Sequence, residues 1–160
     1  MKTKFGIVGC GFLGNIVADA WKNGLLEDYE LVGVTSRTPA SSEKTASNVG
    51  CRACADVEEL LAVDMGCVGD DLAGNEFEVS ICAKDGGVPY DYDMTNKLIQ
   101  IAKERKLGYV VDVFPHYGSD VGAALKGGNN IRGALIGQGV HASHGTERTH
   151  VEGLKQTLLL

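Results

Sequence analysis

The fold depends first on the nine residues Leu61–Gly69, which read LAVDMGCVG. Apolar residues flank one carboxylate and glycines close the run, so the pattern predicts a buried central strand over Ala62–Val68. A charge inside a buried strand is costly unless it has a partner or binds a metal. Asp64 is therefore either a carboxylate hydrogen-bonded to backbone at a strand end or a functional group. The residue patterns before and after this stretch differ.

The composition predicts a soluble α/β protein without a nucleic acid or membrane partner. Apolar residues make up 44% and charged residues 22% of the 160 residues, as in ordinary globular proteins. The net charge of -6 argues against binding to nucleic acid or an anionic membrane. No run is long enough to span a membrane and no signal peptide begins the sequence, so we expect a cytoplasmic protein, recombinant if engineered.

Five cysteines are an odd number for a set of disulfides. Cys51 and Cys54 form a C-x-x-C pair, but no second pair follows that could complete a zinc site. Most of the cysteines are expected to be small buried apolar residues in a reducing compartment.

A glycine-rich loop follows the predicted strand Lys4–Val8 and precedes a helix whose apolar residues recur at helical spacing. The loop matches G-x-G-x-x-G. In such a loop the first glycine makes a tight turn, the second lets backbone approach a pyrophosphate, and the third lets helix and strand pack closely. The pattern predicts a dinucleotide-binding site made of Gly9, Gly11, Phe12, Leu13 and Gly14.

The end of the second predicted strand, Glu30–Thr35, indicates which dinucleotide is bound. An acidic residue there would hold a ribose 2′-hydroxyl, but the sequence continues with Ser36, Arg37 and Thr38. Hydroxyls and a guanidinium suit a 2′-phosphate, which favours NADP over NAD. The alternative is a solvated arginine in a turn before Pro39.

The first part continues with a predicted helix over Ser41–Asn48, a strand over Arg52–Cys54 and a helix over Asp56–Leu61. Residues 1–63 resemble the Rossmann half of NAD(P)-dependent dehydrogenases of the aspartate and diaminopimelate type. The resemblance is carried by the three glycines of the loop, the Ser36–Arg37 turn and Val57–Leu61. It implies a following strand that contacts the nicotinamide and then a substrate domain. The later sequence matches neither of them.

The later part has its own series of predicted elements. A strand over Glu76–Ala83 is expected to pair antiparallel with Ala62–Val68. The remaining elements are a helix over Asp91–Lys106, a strand over Tyr109–Val113, a helix over Ser119–Leu125, a strand over Ala134–Ile136 and a helix over Thr149–Leu159.

Residues 64–160 resemble the C-terminal catalytic part of dinuclear zinc aminopeptidases of the glutamyl aminopeptidase family. The resemblance is carried by Val63–Gly66, Gly118–Ala123 and His141–His150. It implies that Asp64 and His144 each bind one of two zinc ions. The family's other ligands and its general base would precede Asp64, where this chain has no histidine, so we expect a vestigial, weak zinc site.

The histidines also bear on metal binding by themselves. His141, His144 and His150 lie within ten residues of one another beside Glu147, a grouping typical of metal sites. The alternative is that two of them are surface residues of a loop beside the start of a helix.

Together these features predict an α/β, three-layer sandwich with a mixed, mostly parallel sheet and a Rossmann-like first half. Residues 1–63 and 64–160 are expected to share one sheet as a single domain, with strand order 3-2-1 in the first part. The function predicted is that of an engineered chimera without native catalytic activity, a monomer or weak homodimer that binds NADP weakly. The alternatives are an NADP-dependent oxidoreductase, a metal-dependent aminopeptidase fragment, and a module that only sequesters NADP.

Overall fold

The computed structural model describes residues 2–55 and 59–160. The chain has an α/β fold in two compact units, Met1–Val57 and Glu58–Leu160, called here the first and second unit. Among the described residues, no helix has the length and apolar character needed to cross a membrane.

The first unit alternates strands and helices, and its three strands pair in parallel in the order β1-β2-β3. Both helices pack on one apolar core that contains Ala18 and Val49 of the helices and Ile7 and Val34 of the strands. The second helix starts with a proline in its first turn and ends at Gly50, whose φ of 79° suits a helix C-terminus. The elements are β1 (Thr3–Val8), α1 (Phe12–Lys22), β2 (Tyr29–Thr35), α2 (Pro39–Val49) and β3 (Arg52–Ala53).

The second unit contains one mixed sheet of order β4-β8-β6-β7, with the short β5 also paired to β8. Among the described strand pairs of this sheet, only that of β6 with β8 is antiparallel. The elements are β4 (Glu59–Val63), β5 (Gly66–Cys67), β6 (Val79–Lys84), α3 (Tyr92–Glu104), β7 (Tyr109–Val113), α4 (Asp120–Lys126), β8 (Arg132–Val140) and α5 (Val151–Leu159).

Helices cover both faces of this second sheet. Ile81 and Ile136 face a core that includes Leu98 and Ala102 of α3 and Leu160 after α5. Their neighbours along the strands, Cys82 and Leu135, face the opposite core, which contains Val121 of α4 and Phe114. Successive side chains of a strand point to opposite faces, so this alternation gives the second unit its three layers.

The single shared sheet that we expected is not present, because the described strands form two separate sheets. The expected strand Ala62–Val68 is also divided into β4 and β5, both paired to β8 rather than to β6. A side chain at Gly137 of β8 would collide with the carbonyl oxygen of Asp64, at the point where the two short strands separate. Periodicity alone predicts that these residues form a strand, but it does not predict with which strand they pair.

The expected helix over Asp56–Leu61 is wrong for its last residues, because Glu59–Leu61 begin β4. The rest of that expectation lies outside the described residues. The strand expected over Ala134–Ile136 is longer and spans Arg132–Val140. The strand expected over Glu76–Ala83 begins three residues later, as β6. The strand Tyr109–Val113 has the expected ends, and the ends of the remaining elements are shifted by at most two residues.

Candidate functional site

The glycine loop of the first unit has the geometry that its sequence pattern predicts. Gly9 has a φ of 101°, a conformation that favours glycine, and its N–H donates to the carbonyl of Thr35 at 2.8 Å. A side chain at Gly14 would collide with the carbonyl oxygen of Gly9. A Cβ at Gly11, in contrast, would meet open space, so the backbone of Gly11 can be approached from outside.

Helix α1 begins at this loop with its first turn open. Gly11 is the N-cap residue and offers no side-chain cap, and the first turn contains no acidic residue. The first N–H groups of an α-helix have no acceptor within the helix, and the helix dipole favours an anion beside them. Phe12 is 82% and Leu13 is 73% exposed. The geometry therefore suits a phosphate group.

Asn15, which the sequence analysis did not single out, binds the loop from the helix side. Its Nδ2 donates to the carbonyl of Cys10 at 3.0 Å and to that of Gly11 at 2.8 Å. Thr45 of α2 donates to its Oδ1 at 2.8 Å. The one signal in the sequence is a polar residue directly after the third glycine.

The turn Ser36–Thr38 lies at the same end of the first sheet as the glycine loop. Strands β1 and β2 are parallel and pair Val8 with Thr35, so the residues that follow each strand emerge at one edge. Ser36 is half-buried, whereas Arg37 and Thr38 are exposed. The Arg37 guanidinium is thus attached beside the loop and accessible to a ligand.

The Cys51–Cys54 pair lies in the same unit and does not form a disulfide. Residues Arg52–Ala53 between them form β3, and three steps of extended chain span about 10 Å. A disulfide needs Cα atoms within about 7 Å of each other. Burial and the neighbouring Cys54 and Cys10 thiols raise the pKa of Cys51, so its thiol is not activated.

Asp64 of the second unit lies between β4 and β5 and is half-buried. Its Oδ1 accepts a hydrogen bond from the N–H of Met65 at 2.7 Å. The Oγ of Ser143 lies 3.8 Å from the sulfur of Met65, which brings the segment that contains His144 close to Asp64. His144 is exposed, has a φ of 63°, and its backbone N–H donates to Glu147 at 2.7 Å.

The residues around Asp64 do not fit a zinc centre. Zinc sites use at least three protein ligands. Within residues 2–55 and 59–160, no three His, Cys, Asp or Glu residues lie close enough together to hold a metal ion. Asp64 and His144 alone would leave a metal largely hydrated.

The other two histidines of this segment have structural partners. His141 Nε2 lies 3.1 Å from Oε1 of Glu76. A hydrogen bond from its own backbone amide and the charge of His141 hold the pKa of Glu76 below its usual range. His150 caps α5, since its Nδ1 accepts from the N–H of Glu152 at 3.1 Å, and its ring lies 4.6 Å from that of Phe77.

Two buried carboxylates were missed by the sequence analysis, Asp85 and Asp112. Asp85 is fully buried; its Oδ1 accepts from the N–H groups of Gly87 and Val88, and its Oδ2 from Tyr90 Oη at 2.9 Å and Ser119 N at 3.1 Å. Burial would raise the pKa of the Asp85 carboxyl, but these hydrogen bonds outweigh it and hold the pKa below its usual range.

Asp112 of β7 is the second buried carboxylate. Its Oδ2 accepts from Ser80 Oγ at 2.6 Å and its Oδ1 from the N–H of Ala73 at 3.1 Å. It attaches the loop that follows β5 to the sheet. Both carboxylates thus hold loops in place and have hydrogen-bond partners, as buried charges require.

Two groups near Asp64 are protonated at neutral pH. The Tyr117 hydroxyl is buried and lies near the Asp64 carboxylate. Burial and then the Asp64 carboxylate raise the pKa of Tyr117, and burial, Asp112 and Asp64 raise that of Cys67. Neither group is activated as a nucleophile or base.

Comparison with known proteins assigns the two parts of the chain to two families. The family described as M42 glutamyl aminopeptidase matches residues 45–160, more than half of the chain. The chain belongs to the M42 glutamyl aminopeptidase family. It also belongs, through residues 3–83, to the oxidoreductase family with an NAD-binding Rossmann fold. This confirms the two predicted resemblances, and the two matches overlap over residues 45–83.

One curated protein is similar to this chain in sequence, and several solved structures are similar to it in fold. The "Putative aminopeptidase YhfE" of Bacillus subtilis (strain 168) is 41% identical over 134 residues, which cover 84% of this chain and 39% of that protein. The solved structure of the dodecamer PhTET1-12s is similar in fold to this M42 chain, with a TM-score of 0.55 and 20% identity. The similar region covers 64% of this chain and 31% of the PhTET1-12s chain. A Pyrococcus horikoshii TET1 peptidase, with equal coverage, has a TM-score of 0.53 and 18% identity. The chain spans less than two fifths of each of these relatives.

Proposed function

We propose that this chain is a chimera whose first unit binds NADP(H) weakly and whose M42 part has no aminopeptidase activity of its own. The observation that carries the proposal is the open first turn of α1 beside Gly9–Gly14. That turn has no side-chain cap that would occupy its free N–H groups and no acidic residue that would repel a phosphate. The match to an NAD-binding Rossmann family supports the same ligand class.

The 2′-phosphate form of the dinucleotide is favoured by Arg37. The turn Ser36–Thr38 contains no carboxylate that could bind a 2′-hydroxyl, and it lies at the sheet edge that bears the loop. A guanidinium can donate two parallel hydrogen bonds to one phosphate group. Binding is expected to be weak, in the high micromolar range or above, because the residues that follow the Rossmann half match the M42 family rather than a strand with nicotinamide contacts.

Calorimetric titration with NADPH and NADH tests this proposal. We expect Arg37→Ala to weaken NADPH binding about tenfold, the loss of a charge-assisted contact, while NADH binding changes little. Lys44→Ala, which removes a charge from an exposed position of α2 outside the Ser36–Thr38 turn, is the matched control. Tighter binding of NADH than of NADPH by the unmodified protein would refute the role of Arg37.

The alternative, a metal-dependent aminopeptidase fragment, is favoured by membership of the M42 family. One observation argues against this alternative: among the described residues, no three metal-binding side chains lie close together. Zinc-activated hydrolysis also needs a base to move a proton, and a general base typically contributes a factor of about 10²–10⁴. Glu147, the glutamate nearest in sequence to His144, instead accepts the backbone N–H of that residue.

We also propose that the chain is a monomer or a weak homodimer. PhTET1-12s is a dodecamer, but this chain spans only 31% of that protein. Light scattering at increasing protein concentration measures the mass directly. A stable assembly of four or more copies would overturn this proposal.

A further inference from the structure

The side chain of Asn15 fixes the orientation of two peptide groups in the glycine loop. Its Nδ2 donates to the carbonyl oxygens of Cys10 and Gly11. In a planar trans peptide the C=O and N–H bonds point in opposite directions. A bond to the Cys10 carbonyl therefore sets the direction of the Gly11 N–H, and a bond to the Gly11 carbonyl sets that of the Phe12 N–H.

Both of these N–H groups belong to the start of α1, where intrahelical acceptors are absent. The Gly11 carbonyl also accepts the backbone N–H of Asn15 at 3.1 Å, the first hydrogen bond of the helix. One residue thus binds the Gly11 carbonyl twice, through backbone and side chain. The Gly11 and Phe12 N–H groups are left to point away from the helix.

Thr45 fixes the orientation of the Asn15 amide. Thr45 is only 3% exposed and its hydroxyl donates to Asn15 Oδ1 at 2.8 Å. The two loop carbonyls can only accept, so the NH₂ group must face them and the amide oxygen must face Thr45. Helix α2 is thereby connected to the glycine loop through one side chain.

We propose that Asn15 is a positioning residue for the pyrophosphate of the dinucleotide, held in turn by Thr45. This inference rests on the proposed function of the first unit. Asn15 itself does not contact the ligand; it holds the Gly11 and Phe12 N–H groups in the direction in which they donate to phosphate oxygens. Preorganised donors bind more tightly, because the loop is already ordered before the ligand arrives.

Comparing the binding of two ligands distinguishes this positioning role from a general effect of the variant on the fold. NADPH contains the pyrophosphate, whereas adenosine 2′-monophosphate contains the adenosine and the 2′-phosphate without it. We expect Asn15→Ala to raise the Kd of NADPH about tenfold, the equivalent of one loop N–H losing its charge-assisted hydrogen bond to a phosphate oxygen. The Kd of adenosine 2′-monophosphate should change less than twofold, since its contacts are with the Ser36–Thr38 side of the site.

If Asn15→Ala folds poorly, variants at Thr45 still test the positioning role of Asn15. Thr45→Val preserves shape and removes the donor, so it should weaken NADPH binding about threefold, and Thr45→Ser should restore it. Asn48→Ala is the matched control. Asn48 also joins the two helices, through Asp19 at 3.0 Å, but one turn farther from the loop. NADPH binding by Asn48→Ala should equal that of the parent protein.

Each outcome decides a different point. If the parent protein binds NADPH and the folded variants bind it equally well, the role of Asn15 is refuted and the proposed function stands. The role is also refuted if both ligands weaken equally, because the loss is then not specific to the pyrophosphate. If the parent protein binds neither ligand, the proposed function fails and this inference fails with it.

Discussion

The glycine loop of the first unit and the Asp64–His144 region of the second unit differ in how their functional groups are distributed. The loop uses backbone N–H groups of consecutive residues, ordered by contacts within one strand–loop–helix segment. The second region has one carboxylate and one imidazole, which lie 80 positions apart in the sequence. An anion site built from contiguous backbone can persist in a partial chain, whereas a metal centre requires every dispersed ligand.

The largest expected effect is on the stability of the second unit. Asp85→Ala removes the acceptor of four hydrogen bonds, and leaving such buried donors unpaired should reduce the free energy of unfolding of the second unit by about 3–5 kcal/mol. Asp120→Ala, at an exposed first-turn position of α4, should cost less than about 1 kcal/mol. Urea unfolding followed by circular dichroism measures both, and equal losses would contradict the buried network.

The same carboxylate predicts a pH dependence. Since the pKa of Asp85 is lowered in the fold, its contribution to stability is complete above the ordinary aspartate pKa of about 3.9 and is lost as pH falls through the lower folded value. Trp21, the one tryptophan of the chain, lies in the first unit and reports its unfolding. On acidification the helical circular dichroism signal of the second unit should fall, and in Asp85→Asn the part of this loss that Asp85 contributes should disappear.

The next effect compares two glycines of the loop. Gly14→Ala forces a side chain against the Gly9 carbonyl, so NADPH binding should fall by about a hundredfold or more and the first unit should lose stability. Gly11→Ala places its methyl group in open space. It should leave Trp21-monitored unfolding within about 0.5 kcal/mol of the parent while still weakening NADPH binding. A Gly11→Ala variant that unfolds as readily as Gly14→Ala would contradict this distinction.

The smallest effect is expected in the second unit. Adding zinc or cobalt should produce no release of chromophore from an aminoacyl anilide, and His144→Ala should change neither this result nor the unfolding curve. With two protein ligands a metal keeps several waters and lowers the pKa of each only slightly. Turnover that depends on added metal and disappears in His144→Ala would show a functional metal site and refute the proposed chimera.

Local features of the fold were predictable from the sequence. The Gly9–Gly14 loop and its flanking strand and helix follow from glycine chemistry and helical periodicity within 20 residues. The cap of α4 was also readable, because Ser119 accepts the N–H of Gly122 as a serine at that position should.

Features that depend on distant residues were not predictable in the same way. The partner of β4 is β8, more than 70 positions later, and nothing in the apolar run Ala62–Val68 identifies it. Asp85 resembles any turn aspartate beside two glycines, since its burial depends on Tyr90 and Ser119. Asn15 resembles a solvent-exposed helix residue until its two acceptors in the loop are seen.

The pairing of β4 with β8 has a consequence for the order in which the chain becomes structured during synthesis. Every strand pair and both helices of the first unit lie within the first 57 residues, so this unit can form while most of the chain is still being made. Strand β4 emerges next but has no partner until residues 132–140 have left the ribosome. At roughly 5–20 residues per second, its apolar residues stay unpaired for several seconds. Aggregation of nascent chains should therefore begin in the second unit.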